Sequence, residues 1–370
     1  MNNPLNKTDY QKRKIEKEHD IRGEFFRDQT AIIHSMPFRR LKHKTQVFFA
    51  PENDHVCTRI EHVMHVATIG ATICKGLNMS NWNLLPEMAY AIGLGHDLGH
   101  TPFGHAGESA LNRKLNEEFK FIHEVNSYRV VEYLANGGKG LNLTYGVKDG
   151  IINHNGESFE QFLEPKKQSN DLDKIVDRKN IPSSYEGCII RFSDKIAYLG
   201  RDIEDALVAD LITKDDLPDK IREEIGTTNG EIIDNLIRDL IKNSQNNDKI
   251  GFSDEIFEKL EILADFNYKN IYAHPTITRY RQKSEKILEE LFDYFLDLYS
   301  NNGYDINKYF SSLILPDQRF GRYIEKMKNF YIENETVPKQ VIGDYISGMT
   351  DNFALETIKN IKIPQPIKFK

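Results

Sequence analysis

The chain has 370 residues, of which 39% are hydrophobic and 28% charged, with a formal net charge of −7. This composition is typical of a soluble globular protein, and no apolar run of 18 residues predicts a membrane-spanning helix. The acidic balance argues against a nucleic-acid scaffold as the main role, because backbone binding needs a concentrated positive face. The polar N-terminus and three cysteines without CxxC spacing predict a reduced, cytoplasmic protein.

Hydrophobic residues recur at helical spacing along almost the whole chain. In chain order, helices are predicted over residues 58–77, 84–96, 105–119, 125–134, 185–211, 232–241, 255–266 and 283–299. Only residues 46–49 and 361–369 carry a strand signal. The prediction is therefore an all-α protein with a helical catalytic core over residues 1–212. A helical C-terminal region, residues 213–370, is expected to pack on this core and to contribute oligomer contacts.

Residues 155–184 have the weakest periodicity and are rich in Lys, Asp, Asn and Gln. Two interpretations are open, an ordinary solvated loop and a mobile lid, and the solvated loop is preferred.

Histidines are concentrated in one part of the chain. Eight of the 12 fall between positions 55 and 154, where even spacing would place about three. Residues 96–108, HDLGHTPFGHAGE, hold three histidines, an aspartate and a glutamate, interrupted by glycines and a proline. His, Asp and Glu are the side chains that ligate hard or borderline metals and transfer protons near neutral pH. This concentration predicts a polar site centred on a metal ion.

Four residues on three predicted helices are candidate metal ligands: His62, His96, Asp97 and Asp194. Two imidazoles and two carboxylates suit a divalent cation such as Mn²⁺, Mg²⁺ or Fe²⁺, with Zn²⁺ as a further alternative. Taken singly, His62 reads as a core histidine and Asp194 as an ion-pair residue. Their joint placement on faces that point to the core favours a shared partner, because unpaired polar groups are costly there.

The order of these four residues resembles the HD-domain phosphohydrolase superfamily. The surrounding sequence is closer to one branch, the deoxynucleoside triphosphate triphosphohydrolases, also called dGTPase-like enzymes. The segments that match are residues 38–48, 58–62, 96–108, 193–207 and 344–351, so the resemblance spans most of the chain. Ala31, His65 and Asn352 depart from the family pattern, which puts subunit contacts or regulation in doubt more than the chemistry.

The resemblance implies hydrolysis of a deoxynucleoside triphosphate, with dGTP as the first candidate, to deoxynucleoside and inorganic triphosphate. His105 is then the favoured proton donor to the leaving 5′-oxygen, with Glu108 placed to orient it. His123 matches a functional histidine of relatives and shares the catalytic assignment. For His100, phosphate binding and a structural role in the loop both stay open.

The family match also assigns residues that contact the substrate. Arg59, one helical turn before His62, and Lys195, next to Asp194, correspond to phosphate contacts. Tyr198 and Asp202 follow Asp194 at four-residue steps, which places them on one helix face. Tyr198 is expected to stack on the deoxyribose, and Asp202 and Gln46 are expected to hydrogen-bond its 3′-hydroxyl.

Two other functions remain as alternatives. One is an HD-type nucleotidase or phosphodiesterase that acts on other nucleotides. The other is a non-catalytic protein that senses nucleotides or binds single-stranded nucleic acid. The expected partners are a dNTP substrate and further copies of the chain, in a tetramer or hexamer by family resemblance. Weak binding of single-stranded nucleic acid is a further candidate interaction, and no membrane partner is expected.

Overall fold

A computed structural model describes residues 1–48, 56–115, 120–155 and 159–364. Within these ranges the chain is almost entirely helical, which confirms the all-α prediction. The helices of the first half are α1 (Lys7–Tyr10), α2 (Glu24–Ile33), α3 (Met36–Arg40), α4 (Arg59–Asn78), α5 (Pro86–Gly95), α6 (His105–Leu115), α7 (His123–Arg129), α8 (Ala135–Gly138) and α9 (Tyr145–Ile152).

The helices of the second half are α10 (Tyr185–Val208), α11 (Asp219–Glu224), α12 (Asn229–Ser244), α13 (Asp254–Asn267), α14 (Pro275–Asn302), α15 (Ile306–Phe310), α16 (Leu315–Glu333), α17 (Pro338–Ser347) and α18 (Asp351–Lys362). Short 3₁₀ turns cover Leu41–His43, Leu172–Lys174 and Lys214–Asp216, and π-helical turns cover Val130–Leu134 and Tyr268–Tyr272. The strands are β1 (Phe162–Leu163) and β2 (Ile250–Gly251), which pair antiparallel. No helix in the described ranges is both long and apolar enough to cross a membrane.

The sequence analysis assigned no helix to α2, α9, α16 and α17, and its predicted strands are wrong where the structure describes them. Residues 46–48 form no strand, and the extended pairing nearby is one antiparallel bridge between Thr45 and Thr58. At the other end, α18 continues through Lys362, because the apolar residues of this segment pack at helical spacing against the neighbouring helices. Residues 49, 116–119 and 365–369 of the predicted elements lie outside the described residues.

A first hydrophobic core surrounds α4, α5 and α10. These helices approach closely at Gly93 of α5, where an added Cβ would lie 2.5 Å from the Cα of Ala67 in α4. Thr58 caps the N-terminus of α4 and forms a capping box with Glu61, and Pro86 occupies the first turn of α5. Local sequence therefore fixes where both helices begin, and the small residues fix how closely they pack.

The second core is formed by α14, α16, α17 and α18 together with α6. The first core extends past residue 212 as far as Ile271, and α6 belongs to the second core although it lies before that position. The division of the chain at residue 212 therefore stays a prediction, and the two cores interlock in sequence.

The segment 155–184, where described, is a largely exposed loop, as the sequence analysis preferred, but buried residues anchor it to the core. Leu163, Leu172 and Ile175 are buried. Asp149 of α9 is fully buried, and its carboxylate accepts hydrogen bonds from the backbone and hydroxyl of Ser183, at 2.7 and 2.8 Å, and from Asn170 at 2.7 Å. A polar anchor inside the core thus holds a segment whose own sequence shows little periodicity.

The loop that holds residues 96–104 is fixed to both cores. Its Gly99 packs so tightly on α7 that a Cβ would lie 2.1 Å from the backbone nitrogen of Ser127. From the second core, the buried carboxylate of Asp351 accepts hydrogen bonds from the backbone of Phe103 at 2.9 Å and of Thr45 at 2.8 Å. The C-terminal helices therefore hold the histidine-rich loop in place.

We expect Asp351→Ala to lower the free energy of unfolding by about 2–4 kcal/mol, since the buried N–H of Phe103 and the partly buried N–H of Thr45 lose their acceptor and each unsatisfied group costs about 1–3 kcal/mol. Urea denaturation measures this change. Asp219→Ala, at the first position of α11 and exposed, is the matched control and should change stability little. Equal effects of the two substitutions would contradict the bridging role of Asp351.

Candidate metal centre and substrate pocket

The four predicted metal ligands meet in the first core. His62 lies in the middle of α4, His96 and Asp97 directly follow α5, and Asp194 lies in α10. His62 Nε2 is 2.9 Å from Asp194 Oδ1, and His96 Nε2 is 3.9 Å from the same oxygen and 3.6 Å from Asp97 Oδ1. Residues separated by 132 positions in sequence thus share one polar cluster.

The state of these side chains suits a divalent cation. His96 Nδ1 lies 2.7 Å from the carbonyl oxygen of Gly93, which places the proton on Nδ1 and leaves Nε2 as a lone-pair donor. This Nε2 is buried and has no hydrogen-bond partner among the described residues. Burial opposes ionisation of Asp194, but His62 and His96 outweigh it and lower its pKa to about 2. Neutral imidazole and anionic carboxylate are the forms that ligate metals.

His154 joins the cluster although the sequence analysis gave it no role. It lies just past the end of α9. Like His96 after α5, it places Nδ1 near the carbonyl oxygen of the residue three positions earlier, here Ile151 at 2.7 Å. Its buried Nε2 also lacks a hydrogen-bond partner among the described residues and lies 4.0 Å from Asp97 Oδ1. Burial lowers the pKa of His154 to about 4, so it is neutral at pH 7. A histidine just past the end of a helix within the histidine-rich region was the signal available in sequence.

Two cationic side chains lie beside the metal cluster. The Arg59 guanidinium donates to Asp97 Oδ2 and, at 3.2 Å, to the carbonyl oxygen of Thr45. Lys195 Nζ is buried without a hydrogen-bond partner among the described residues and lies 5.1 Å from the ring centroid of Phe159. Burial lowers the pKa of Lys195 to about 8. Both predicted phosphate contacts are therefore next to the predicted ligands.

The predicted proton-transfer residues are arranged differently from the expected pairing. The His105 side chain is 64% exposed, and its Nδ1 is 4.0 Å from Glu108 Oε2. The same oxygen lies 2.9 Å from Nδ1 of His123, which is buried and stacks on His100 with ring centroids 4.2 Å apart. Burial lowers the pKa of His123, but Glu124 and Glu108 outweigh it and raise the pKa to about 10. The short contact of Glu108 is thus with His123, and the His105 side chain is exposed to solvent.

Two charged residues that the sequence analysis missed complete this group. Glu124 follows His123 in α7 and places Oε2 3.3 Å from His123 Nδ1. Arg178, from the segment 155–184, donates to both Glu108 and Glu124. Glu124 adjoins a predicted functional histidine, which was a usable signal. Arg178 lies 70 positions from Glu108, and only the fold brings them together.

Two of the three predicted sugar contacts have a buried oxygen that is unpaired among the described residues. Gln46 Oε1 and Asp202 Oδ1 are buried and have no hydrogen-bond partner among the described residues. Asp202 Oδ2 accepts a hydrogen bond from the hydroxyl of Tyr272, which lies in a π-helical turn and was missed in sequence. Burial raises the pKa of Asp202 to about 7. Tyr198 is half-buried on the same helix face, one turn from both Asp194 and Asp202.

Comparison with known proteins agrees with this geometry. Residues 59–199 match the HD domain, and residues 250–360 match the phosphohydrolase-associated domain. The first match spans all four predicted ligands, and the second spans most of the helices that form the second core.

Several relatives share one name, deoxyguanosinetriphosphate triphosphohydrolase-like protein. The relative from Caldanaerobacter subterraneus is 38% identical over 95% of this chain and 88% of its own length. Those from Desulfatibacillum aliphaticivorans and Clostridium tetani are 36% and 35% identical, over 94% and 95% of this chain and 90% and 88% of their own lengths. The chain therefore belongs to the dGTPase-like family of HD-domain phosphohydrolases.

Proposed function

We propose that this protein hydrolyses deoxynucleoside triphosphates to deoxynucleoside and inorganic triphosphate. The observation that carries the proposal is the buried ammonium of Lys195, which directly follows Asp194 in α10 and has no hydrogen-bond partner among the described residues. A buried cation without acceptors is costly, and a polyphosphate chain would supply them. Arg59, on the other side of the cluster, adds a second positive charge next to Asp97.

In the proposed reaction a water oxygen bonds to the α-phosphorus, and the bond from that phosphorus to the 5′-oxygen breaks. The water loses a proton, and the 5′-oxygen gains one as the deoxynucleoside leaves. A divalent cation held by His62, His96, Asp97 and Asp194 would polarise the α-phosphate and lower the pKa of the attacking water. Mn²⁺, Mg²⁺, Fe²⁺ and Zn²⁺ all suit this ligand set.

We assign the proton donor to His105, because its exposed imidazole is accessible to a substrate and its Nδ1 lies 4.0 Å from Glu108 Oε2. His123 is the second candidate, since it is held between two carboxylates and keeps its proton at neutral pH. His100, stacked on His123, supports the position of that ring. Separate substitutions of His105 and His123 decide between the two donors.

We assign sugar recognition to Gln46, Tyr198 and Asp202. The unpaired oxygens of Gln46 and Asp202 are acceptors suited to a 3′-hydroxyl donor. A tyrosine ring against C2′ leaves no space for a 2′-hydroxyl, which favours deoxyribose. dGTP is the first candidate on family grounds, and assembly into a tetramer or hexamer stays a prediction on the same grounds.

The substrate class is tested by incubating the protein with dGTP, GTP and 2′,3′-dideoxy-GTP in the presence of Mn²⁺ or Mg²⁺. We expect dGTP to give triphosphate, with ¹⁸O from labelled water in the triphosphate and none in deoxyguanosine. The dideoxy analogue should lose about 10–100-fold in kcat/KM, because it leaves buried acceptors unpaired. Orthophosphate or monophosphate as the first product, or equal turnover of GTP and dGTP, would overturn the assignment.

Removal of one ligand tests the metal centre. We expect Asp194→Ala to lose bound metal and hydrolysis while the helix content stays unchanged, because Asp194 contacts both His62 and His96. Metal analysis by mass spectrometry and circular dichroism measure the two properties. Glu204→Ala, on the same helix and half-exposed, is the control and should retain the metal. A folded Asp194→Ala protein with the wild-type metal content would remove Asp194 from the ligand set.

The proton donor is tested by His105→Ala, which should lower kcat by about 10²–10⁴-fold, the usual contribution of general acid catalysis. KM and metal content should change little. His34→Ala, an exposed histidine far from the pocket in sequence, serves as the control. A loss confined to KM would make His105 a binding residue and transfer the donor role to His123.

A further inference from the structure

Arg178 connects two acidic residues of the site from a segment that the proposed reaction does not otherwise use. Its Nε lies 2.8 Å from Glu124 Oε1, and its Nη2 lies 3.2 Å from Glu124 Oε2 and 3.0 Å from Glu108 Oε1. Glu108 comes from α6 and Glu124 from α7. The guanidinium therefore joins α6 to the first turn of α7, next to His123.

The backbone around Arg178 is fixed by buried groups. The carbonyl oxygen of Arg178 accepts a hydrogen bond from Asn155 Nδ2 at 3.2 Å. Two residues later, the carbonyl oxygen of Asn180 accepts from the guanidinium of Arg191, which is fully buried in α10 and also donates to Asn153 at 2.6 Å. The core thus determines where the Arg178 side chain starts.

The contacts of Arg178 differ from ordinary surface ion pairs. Its own side chain is 31% exposed, but those of Glu108 and Glu124 are 10% and 2% exposed. Exposed pairs contribute little, whereas a buried charge that loses its partner is strongly destabilised. Two buried carboxylates that face one imidazole would also repel each other.

Charge balance explains what the guanidinium does. Glu108 and Glu124 each place Oε2 toward His123 Nδ1, at 2.9 and 3.3 Å, and their Oε1 atoms toward Arg178. Arg178 Nη2 also lies 3.2 Å from His123 Nδ1, so the two carboxylates balance two adjacent cations when His123 is protonated. Burial raises the pKa values of Glu108 and Glu124, but His123 and, to a smaller extent, Arg178 outweigh it and lower both.

We propose that Arg178 is a positioning residue that fixes the Glu108–His123 pair in the orientation required for hydrolysis. The role in hydrolysis rests on the function proposed above, whereas the effect on the His123 ring can be measured without turnover. His123 stacks on His100, and its ring centroid is 6.0 Å from that of His105. Any movement of His123 therefore changes the surroundings of the predicted proton donor.

The test compares Arg178→Gln, Arg178→Lys and Lys179→Gln. Lys179 carries the neighbouring positive charge but is exposed, so it is the matched control. We expect Arg178→Gln to lower kcat on dGTP by about 10–100-fold, the effect of a small misplacement of a catalytic group. KM and metal content should stay within about threefold of wild type, since the contacts that carry the proposed role of Arg178 are with Glu108, Glu124 and His123. Arg178→Lys should recover part of kcat, because lysine restores the positive charge but not the planar guanidinium that donates to both carboxylates.

A second readout is the ¹⁵N spectrum of histidine side chains, in which the His123 signal is assigned by its loss in His123→Ala. The signal should shift in Arg178→Gln and stay in place in Lys179→Gln. An unchanged signal with unchanged kcat would overturn the positioning role, and so would a rise confined to KM, which would make Arg178 a substrate contact. A shifted signal in a protein whose wild type releases no triphosphate would support the positioning role and reject the proposed function.

Discussion

One buried carboxylate, that of Asp97, governs the arrangement of the site. Its Oδ2 accepts from Arg59, and its Oδ1 faces the unpaired Nε2 atoms of His96 and His154. Burial opposes ionisation, but Arg59 and the surrounding imidazoles hold the pKa of Asp97 well below its usual range. A buried charge that lost these neighbours would be strongly destabilising, so α4, α5 and the end of α9 must keep their relative positions.

The second helical region completes the site from outside the HD domain. Lys44 Nζ is buried between the carbonyl oxygens of His100 and Ser347, and Arg40 donates to the carbonyl oxygen of Gly348 at 2.8 Å. Together with Asp351, these contacts link the N-terminal segment, the histidine-rich loop and the start of α18. The sequence similarity to the family at both ends of the chain thus corresponds to one set of contacts around a single loop.

Several buried polar atoms near Asp97 have no hydrogen-bond partner among the described residues. They include nitrogen atoms that donate lone pairs, an ammonium group and carboxylate or amide oxygens: His96 Nε2, His154 Nε2, Lys195 Nζ, Asp202 Oδ1 and Gln46 Oε1. Folded proteins pair nearly all such atoms, so a concentration of exceptions marks a place prepared for a ligand. They comprise lone-pair donors, a cation and acceptors, which are the groups that a metal ion, a polyphosphate and a sugar hydroxyl would pair with in the proposed function. Polar groups fixed in advance need little reorganisation during reaction.

The sequence by itself determined the helical class, the bounds of α4, α5 and α10 to within a few residues, and the residue types of the metal cluster. Helical periodicity, the capping box before α4 and Pro86 in α5 act locally, and His62, His96, Asp97 and Asp194 belong to a recognisable pattern. The strand predictions were wrong at residues 46–48 and 361–362, because tertiary packing overrides weak strand propensity.

Only the tertiary structure decided which groups pair. Glu108 contacts His123 more closely than His105, although His105 is nearer in sequence, because the fold brings the first residue of α7 against the first turn of α6. Arg178 lies in a segment with no periodicity, which a buried aspartate and a buried arginine of other helices hold in place. Contacts between residues far apart in sequence depend on packing and on the cost of buried charge, and neither leaves a local pattern in the amino-acid sequence.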